Sequence, residues 1–311
     1  MWKLWTRIVV WCTLALMAAS LAACDLRESS TQVDLTRAAN ADDLARLRPE
    51  GDGSLYVGFD RRLEQKEDVK IYVPFLRYLE RVTGYHFALR PTPQDGSVVD
   101  DLGQGRVQFA MIGAVSYLEA HYQYNAQPLV RGLNADGKSE YRAAIITRPN
   151  SPIQTLAYLR GRTFAFGAMS STQGYLIPRI LLDQAGIRLG DLASYEYSGS
   201  HAEVAAAVIN GRDDAGGLQD TLALSLAQRG LARILMLSPF YPSSGIAVAP
   251  NVDPKIVDAV RRALLAFDPR GKDAPGLYHW DHTEMPRGFV AAQDSDYVDL
   301  RDWAEQFGLL K

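Results

Sequence analysis

Three hydroxyls stand in a row at Ser170-Ser171-Thr172, followed by Gln173-Gly174-Tyr175. They lie between an apolar strand signal ending near Phe166 and a helical pattern opening near Gly174. A helix begins with backbone N–H groups that no internal carbonyl accepts, at the positive end of its dipole. Hydroxyls added there make a seat for an anion. The same residues also suit a plain N-cap, with one hydroxyl on one N–H and the others in water. Tyr197-Ser198-Gly199-Ser200-His201 repeats the design ahead of a helical pattern over 202–209. Ser200 is placed to cap, and His201 falls in the first turn, where the dipole disfavours its charged form. Donation to an anion competes there with the role of a solvated or core histidine. Two more junctions, Gly113-Ala114-Val115-Ser116-Tyr117 and Ile71-Tyr72-Val73-Pro74, put a tyrosine or hydroxyl where a helix is expected to begin. Taken alone, each suits the core. If all four converge, they replace the hydration shell of a tetrahedral oxyanion without a metal or an arginine, with Tyr72 and Tyr117 as donor and apolar wall.

Other chemistries find little support. There is no Gly-x-Ser-x-Gly elbow, P-loop, His-Glu-x-x-His or dinucleotide glycine fingerprint, so neither an enzyme nor a cofactor is expected. His279-Trp280-Asp281-His282 offers two histidines in one loop, too few for a metal expectation, and is taken as surface. A formal charge of −3 argues against nucleic acid as a partner.

The elements that must position these residues alternate between strands and helices. Strands are expected at 54–59, 107–113, 142–147, 163–166, 234–237 and 246–249, and helices at 73–81, 174–185, 202–209, 254–267 and 297–307. Pro74 marks the first turn of the helix at 73–81, and another helix opens near Ser116. This order predicts an α/β protein of two lobes, with crossovers around Thr147 and Pro242. The first lobe takes 54–146 and 246–311 and the second 147–245. Ligands of such folds sit at strand carboxyl ends, and a cleft between two lobes closes by a hinge motion.

The amino terminus reads as an address. Lys3 and Arg7 precede an apolar run over 8–18, and Leu21-Ala22-Ala23-Cys24 looks like a lipobox. The signal peptide is then 1–23, Cys24 is the acylated first residue of the mature chain, and polar residues 24–53 form a tether. Only Cys12 and Cys24 are present, so the mature chain keeps no free thiol, as suits export. Asp25 after the cysteine resembles an inner-membrane retention signal if the host is Gram-negative.

These residues resemble the phosphonate/phosphite/phosphate-type substrate-binding proteins of ABC importers, the PhnD-like group of type II periplasmic binding proteins. The resemblance rests on Tyr72-Val73-Pro74-Phe75-Leu76, Phe109-Ala110-Met111-Ile112-Gly113, Ser151-Pro152-Ile153, Arg160-Gly161-Arg162-Thr163-Phe164, Ser171-Thr172-Gln173-Gly174-Tyr175, Ser198-Gly199-Ser200-His201 and Asn210-Gly211-Arg212-Asp213-Asp214. It implies a non-catalytic, monomeric lipoprotein that binds phosphate, phosphite or a phosphonate and works with an ABC permease and ATPase. It places the oxyanion loop on Ser171, Thr172, Gln173 and Gly174, the motif histidine on His201, cleft tyrosines on Tyr72 and Tyr117, and an acidic position on Asp214. Gln173 departs from the family's usual serine; its amide still donates but is bulkier. No acidic partner for an amino group stands out, so an aminophosphonate is not favoured. A sensor that shows its bound state to a membrane signalling partner fits the same features.

Overall fold

The computed structural model describes residues 53–60, 65–93 and 96–310. The expected signal peptide, the lipidated Cys24 and the tether up to residue 52 lie outside the described residues. No helix among the described residues is long and apolar enough to cross a membrane.

Two sheets carry the fold. The first has the order β13-β4-β12-β3-β1-β2. Its strands are β1 Leu55–Phe59, β2 Phe87–Leu89, β3 Phe109–Ile112, β4 Gln127–Gly132, β12 Gly245–Val248 and β13 Phe289–Ala291. β1 lies parallel to β2 and β3, while β12 returns antiparallel between β3 and β4. The second sheet has the order β10-β6-β9-β7-β8. It comprises β6 Ala143–Thr147, β7 Thr163–Phe166, β8 Ser194–Tyr197, β9 Ala215–Gln219 and β10 Arg233–Leu237. The two crossing segments touch as a short ribbon, with β5 Glu140–Tyr141 antiparallel to β11 Tyr241–Pro242.

The eight α-helices among the described residues are α1 Gln65–Thr83, α2 Val98–Gly103, α3 Ala114–Tyr124, α4 Ile177–Gln184, α5 His201–Ile209, α6 Asp220–Gln228, α7 Pro254–Leu265 and α8 Val298–Gln306. They cover both faces of each sheet, and four apolar clusters fill the gaps. Phe59, Phe75, Leu129 and Leu264 centre one face of the first sheet, and Leu102, Leu118 and Leu300 the other. Phe164 and Phe166 centre one face of the second sheet, with Ile146 and Val208 on its opposite face. Burial on both faces explains why the central strands β3, β6 and β12 read as continuous apolar runs rather than alternating ones. The cluster around Leu118 also takes in Leu176, Ile177 and Ile180 from the second lobe, so the lobes share an apolar contact beside the crossovers.

Two expectations need correction. The first crossover falls earlier than Thr147: β6 pairs with β9 and β10, so residues 143–146 belong to the second sheet and not to the first. An apolar run reads the same in either sheet, and only the pairing partner decides. The helix expected from 73 starts at Gln65, and Pro74 lies inside it. Proline lacks the N–H that would bond the carbonyl four residues back, which makes it a common first-turn residue but no proof of one. The true first turn carries Glu67 and Asp68, which suit the positive end of the dipole.

Candidate functional site

A cavity of about 720 Å³ opens between the lobes. From the second lobe it is lined by Ser171, Thr172 and Gln173, by Gly199, Ser200 and His201, and by Gln219. From the first lobe Tyr72 and Gly113 line it, and Tyr141 lines it from the crossover ribbon.

The oxyanion-loop candidate is a single π turn, Thr172–Leu176, that runs straight into α4. Ser171 is its N-cap, and its Oγ accepts the N–H of Gly174 at 2.9 Å. The N–H groups of Thr172 and Gln173 belong to the first turn, where helical geometry supplies no internal acceptor. Gly174 makes this loop possible. A Cβ there would lie 2.9 Å from Ser171 Oγ, 3.0 Å from Gly167 Cα and 3.3 Å from His201 Cε1. Gly167 N–H donates to the Gly174 carbonyl at 2.8 Å, so the two backbones cross without side chains between them. That crossing brings the loop against His201, the first residue of α5.

α5 is held by a capping box. Ser200 Oγ accepts from Glu203 N–H at 3.2 Å, and Glu203 Oε2 accepts from Ser200 N–H at 2.9 Å. Ser200 is thereby committed to the helix. His201 and Ala202, whose first-turn N–H groups have no acceptor within the helix, both line the cavity.

The hydroxyl of Thr172 does more than the sequence implied. Its Oγ1 accepts the N–H of Val115, at the start of α3 in the other lobe, at 3.1 Å. Gln173 Nε2 donates to the Arg142 carbonyl at 2.9 Å, which pins the amide to the root of β6. Both side chains therefore tie the loop to its surroundings, and Thr172 keeps only its own proton for a ligand.

The first lobe offers less positive character than expected. Asp60 Oδ2 accepts Gly113 N–H at 2.8 Å, and Asp60 Oδ1 accepts Ser116 Oγ at 3.0 Å. The amino end of α3 is therefore already capped by a carboxylate. Since Ile71–Pro74 lies within α1, it presents no helix start at all. A start that sequence reading missed takes its place: α6 opens at Asp220, and its N-cap Gln219 lines the cavity. The available signal was Gln219-Asp220 at the end of β9, after Gly216-Gly217-Leu218, although Asp220 itself pairs with Arg142 at 3.0 Å.

Of the seven predicted ligand residues, Tyr72, Ser171, Thr172, Gln173 and His201 line one cavity, and Tyr117 and Asp214 do not. Tyr117 is 2% exposed, packs on Tyr297 and donates from its hydroxyl to Asp294 Oδ1 at 2.6 Å. Burial, with the carboxylate holding its proton, pushes this phenol well above the ordinary range. Asp294 in turn lies below the usual carboxylate range: burial opposes ionisation, but the bonds from Tyr117 and Arg301 outweigh it. Asp214 sits at the start of β9, at the far end of that strand from Gln219, where its Oδ2 accepts Thr163 N–H at 3.2 Å and Arg148 lies 3.6 Å away. Asp60, Asp68, Glu203 and Glu284 also line the cavity, acidic groups that the sequence left unremarked.

Comparison with known proteins fits this arrangement. The family described as the ABC transporter, phosphonate, periplasmic substrate-binding protein matches residues 58–297. The chain belongs to that family. A probable phosphite-binding ABC transporter protein of Prochlorococcus marinus is 27% identical over 169 residues, 51% of this chain and 50% of that protein. The match thus spans about half of that relative's length. The phosphate-import protein PhnD of Mycolicibacterium smegmatis is 25% identical over 261 residues, 76% of this chain and 81% of that protein. Among solved structures, the methylphosphonate complex of Prochlorococcus marinus PhnD1 superposes with a TM-score of 0.72 at 19% identity, covering 83% of this chain and 99% of that one. The fold is therefore that of the type II periplasmic binding proteins. The family is one of substrate-binding proteins rather than enzymes.

Proposed function

We propose that the chain is the exported, lipid-anchored solute-binding component of an ABC importer, and that it binds a small tetrahedral oxyanion: phosphate, phosphite or a simple phosphonate. One observation carries this reading. The first turns at Thr172 and at His201, held together by the Gly167–Gly174 crossing, face one cavity between the lobes. Their N–H groups, the Ser171 hydroxyl and the His201 ring form the anion seat in the second lobe, and Tyr72 closes it from the first. The lobes, divided at the 133–142 and 238–244 crossings, close on the ligand. Acylated Cys24 holds the body at the membrane, where a permease and an ATPase receive the ligand from a monomer.

Thermal melting of the mature chain with phosphate, phosphite, methylphosphonate and sulfate tests the reading. A ligand at 100 times its dissociation constant adds about 2.7 kcal/mol. At least one of the three phosphorus oxyanions should raise the melting temperature more than sulfate does. His201→Ala should weaken the best of them roughly 10–150-fold, the value of a hydrogen bond to a charged group. No shift with any of the three phosphorus anions at 1 mM, roughly the weakest useful affinity, would refute the proposal.

A further inference from the structure

The loop before β13 holds a second constellation, outside the anion seat. One ligating atom each of His279, Asp281 and His282 lies within 4.8 Å of the others, and all three residues are exposed. His279 has left-handed backbone (φ 42°), and its ring lies nearly parallel to that of His282, at 15° with centroids 4.7 Å apart. Trp280 between them points the opposite way. It is 3% exposed, stacks on Phe75 at 4.7 Å and donates from Nε1 to the Met285 carbonyl at 2.8 Å. The buried indole therefore fixes the turn while the three donors gather on its outer side. Asp281 and His282 stand 3.9 Å apart, beyond a direct hydrogen bond.

The geometry points to a binding site for a borderline divalent transition-metal ion of the Zn²⁺ class, formed by His279, Asp281 and His282. Two imidazoles and one carboxylate are a donor set that Zn²⁺ accepts at about 2.0–2.2 Å, with water completing the tetrahedron. A tetrahedral ion at that distance sets its donors about 3.3–3.5 Å apart, within reach of small rotations of exposed side chains. Mg²⁺ and Ca²⁺ prefer oxygen ligands and are poor matches for two imidazoles. His282 also lines the inter-lobe cavity with Thr283 and Glu284, while His279 and Asp281 line a separate cavity on the other side of the turn, so the site lies beside the anion cavity and not in it. The inference uses none of the residues of the anion seat and holds whichever anion binds there.

Titration calorimetry of the untagged mature chain with ZnCl₂ tests it. One saturable site is expected, with no heat from MgCl₂. His279→Ala and His282→Ala should each weaken Zn²⁺ binding by at least about tenfold, since loss even of a supporting group around a metal costs about 10–100-fold. His86→Ala, at an exposed histidine that faces Glu80 3.8 Å away, should bind Zn²⁺ as the unmodified chain does. Melting of the metal-free variants at the unmodified temperature shows that the fold is intact. Absence of saturable binding, or equal binding by both His279→Ala and His282→Ala, would overturn the inference. Equal weakening by His86→Ala would do the same.

Discussion

Thr172→Val separates two roles that a single threonine can play. The substitution keeps the shape of the side chain and removes its oxygen. In the structure that oxygen accepts the Val115 N–H at 3.1 Å, with Thr172 and Val115 each 4% exposed. Valine leaves that N–H buried without a partner, at a cost of about 1–3 kcal/mol. For a chain of this size each kcal/mol moves the melting temperature by about 2–4 °C. The ligand-free variant should therefore melt roughly 2–12 °C lower. Thr172→Ser keeps the acceptor and loses one methyl group, worth about 0.8 kcal/mol, so it should melt between the two. Differential scanning calorimetry without added anion measures all three proteins. If Thr172 served the ligand alone, the ligand-free valine variant would melt with the unmodified chain. That result, or a serine variant less stable than the valine one, would refute the bridging role.

Other expectations follow from the same packing. Gly174→Ala drives a methyl group against Ser171 Oγ and the Gly167 backbone, at 2.9 and 3.0 Å, with a cost of about 1–3 kcal/mol for overpacking. It should lower the melting temperature and weaken phosphate or methylphosphonate binding together, and a variant that binds both at full strength would contradict the loop geometry. Asp294→Asn removes a carboxylate whose folded value is held below the usual range. Such a group stabilises the fold above the unfolded value, near 3.9, and the benefit fades as pH falls through the folded one. The variant should melt below the unmodified chain at pH 7 by about 2–4 °C, taking roughly 1 kcal/mol for a partly exposed charged pair. The gap should close towards pH 3, and a gap that widens on acidification would reverse the sign. Asp214→Asn, remote from the cavity, should leave anion affinity unchanged in the titration that detects His201→Ala.

Much of the fold was legible because burial on both faces of the central strands leaves a simple mark. β7 at Thr163–Phe166 and α7 from Pro254 lie where apolar runs and helical spacing put them. What pattern alone could not supply was pairing. Ala143–Thr147 is apolar whichever sheet takes it, so the crossing was drawn a few residues late. Pro74 misled for a related reason: a missing N–H is tolerated at a helix start, and equally inside a helix of 19 residues that α7 and the first sheet hold in place.

The cavity lining was more legible in the second lobe than in the first, and the charges at the helix starts show why. In the second lobe Ser171 caps its turn with a neutral hydroxyl, whereas at the start of α5 the Glu203 carboxylate accepts both the N–H and the hydroxyl of Ser200. The Ser171 hydroxyl satisfies a single N–H and leaves the dipole end at Thr172 positive. In the first lobe the cap is Asp60, reached from 53 residues away along the chain, and its carboxylate uses up the same dipole end. Residue type at the helix start was Gly113 in sequence and gave no hint of that charge. Tyr117 fails for a similar reason. Its position one turn into α3 suited a cleft residue, but Asp294, from the loop after β13, accepts the hydrogen bond of its hydroxyl, and the ring packs on Tyr297 in the core. A helix start thus offers its full positive end to an anion only where no carboxylate has already filled it, and in the second lobe the turn that Ser171 caps meets that condition.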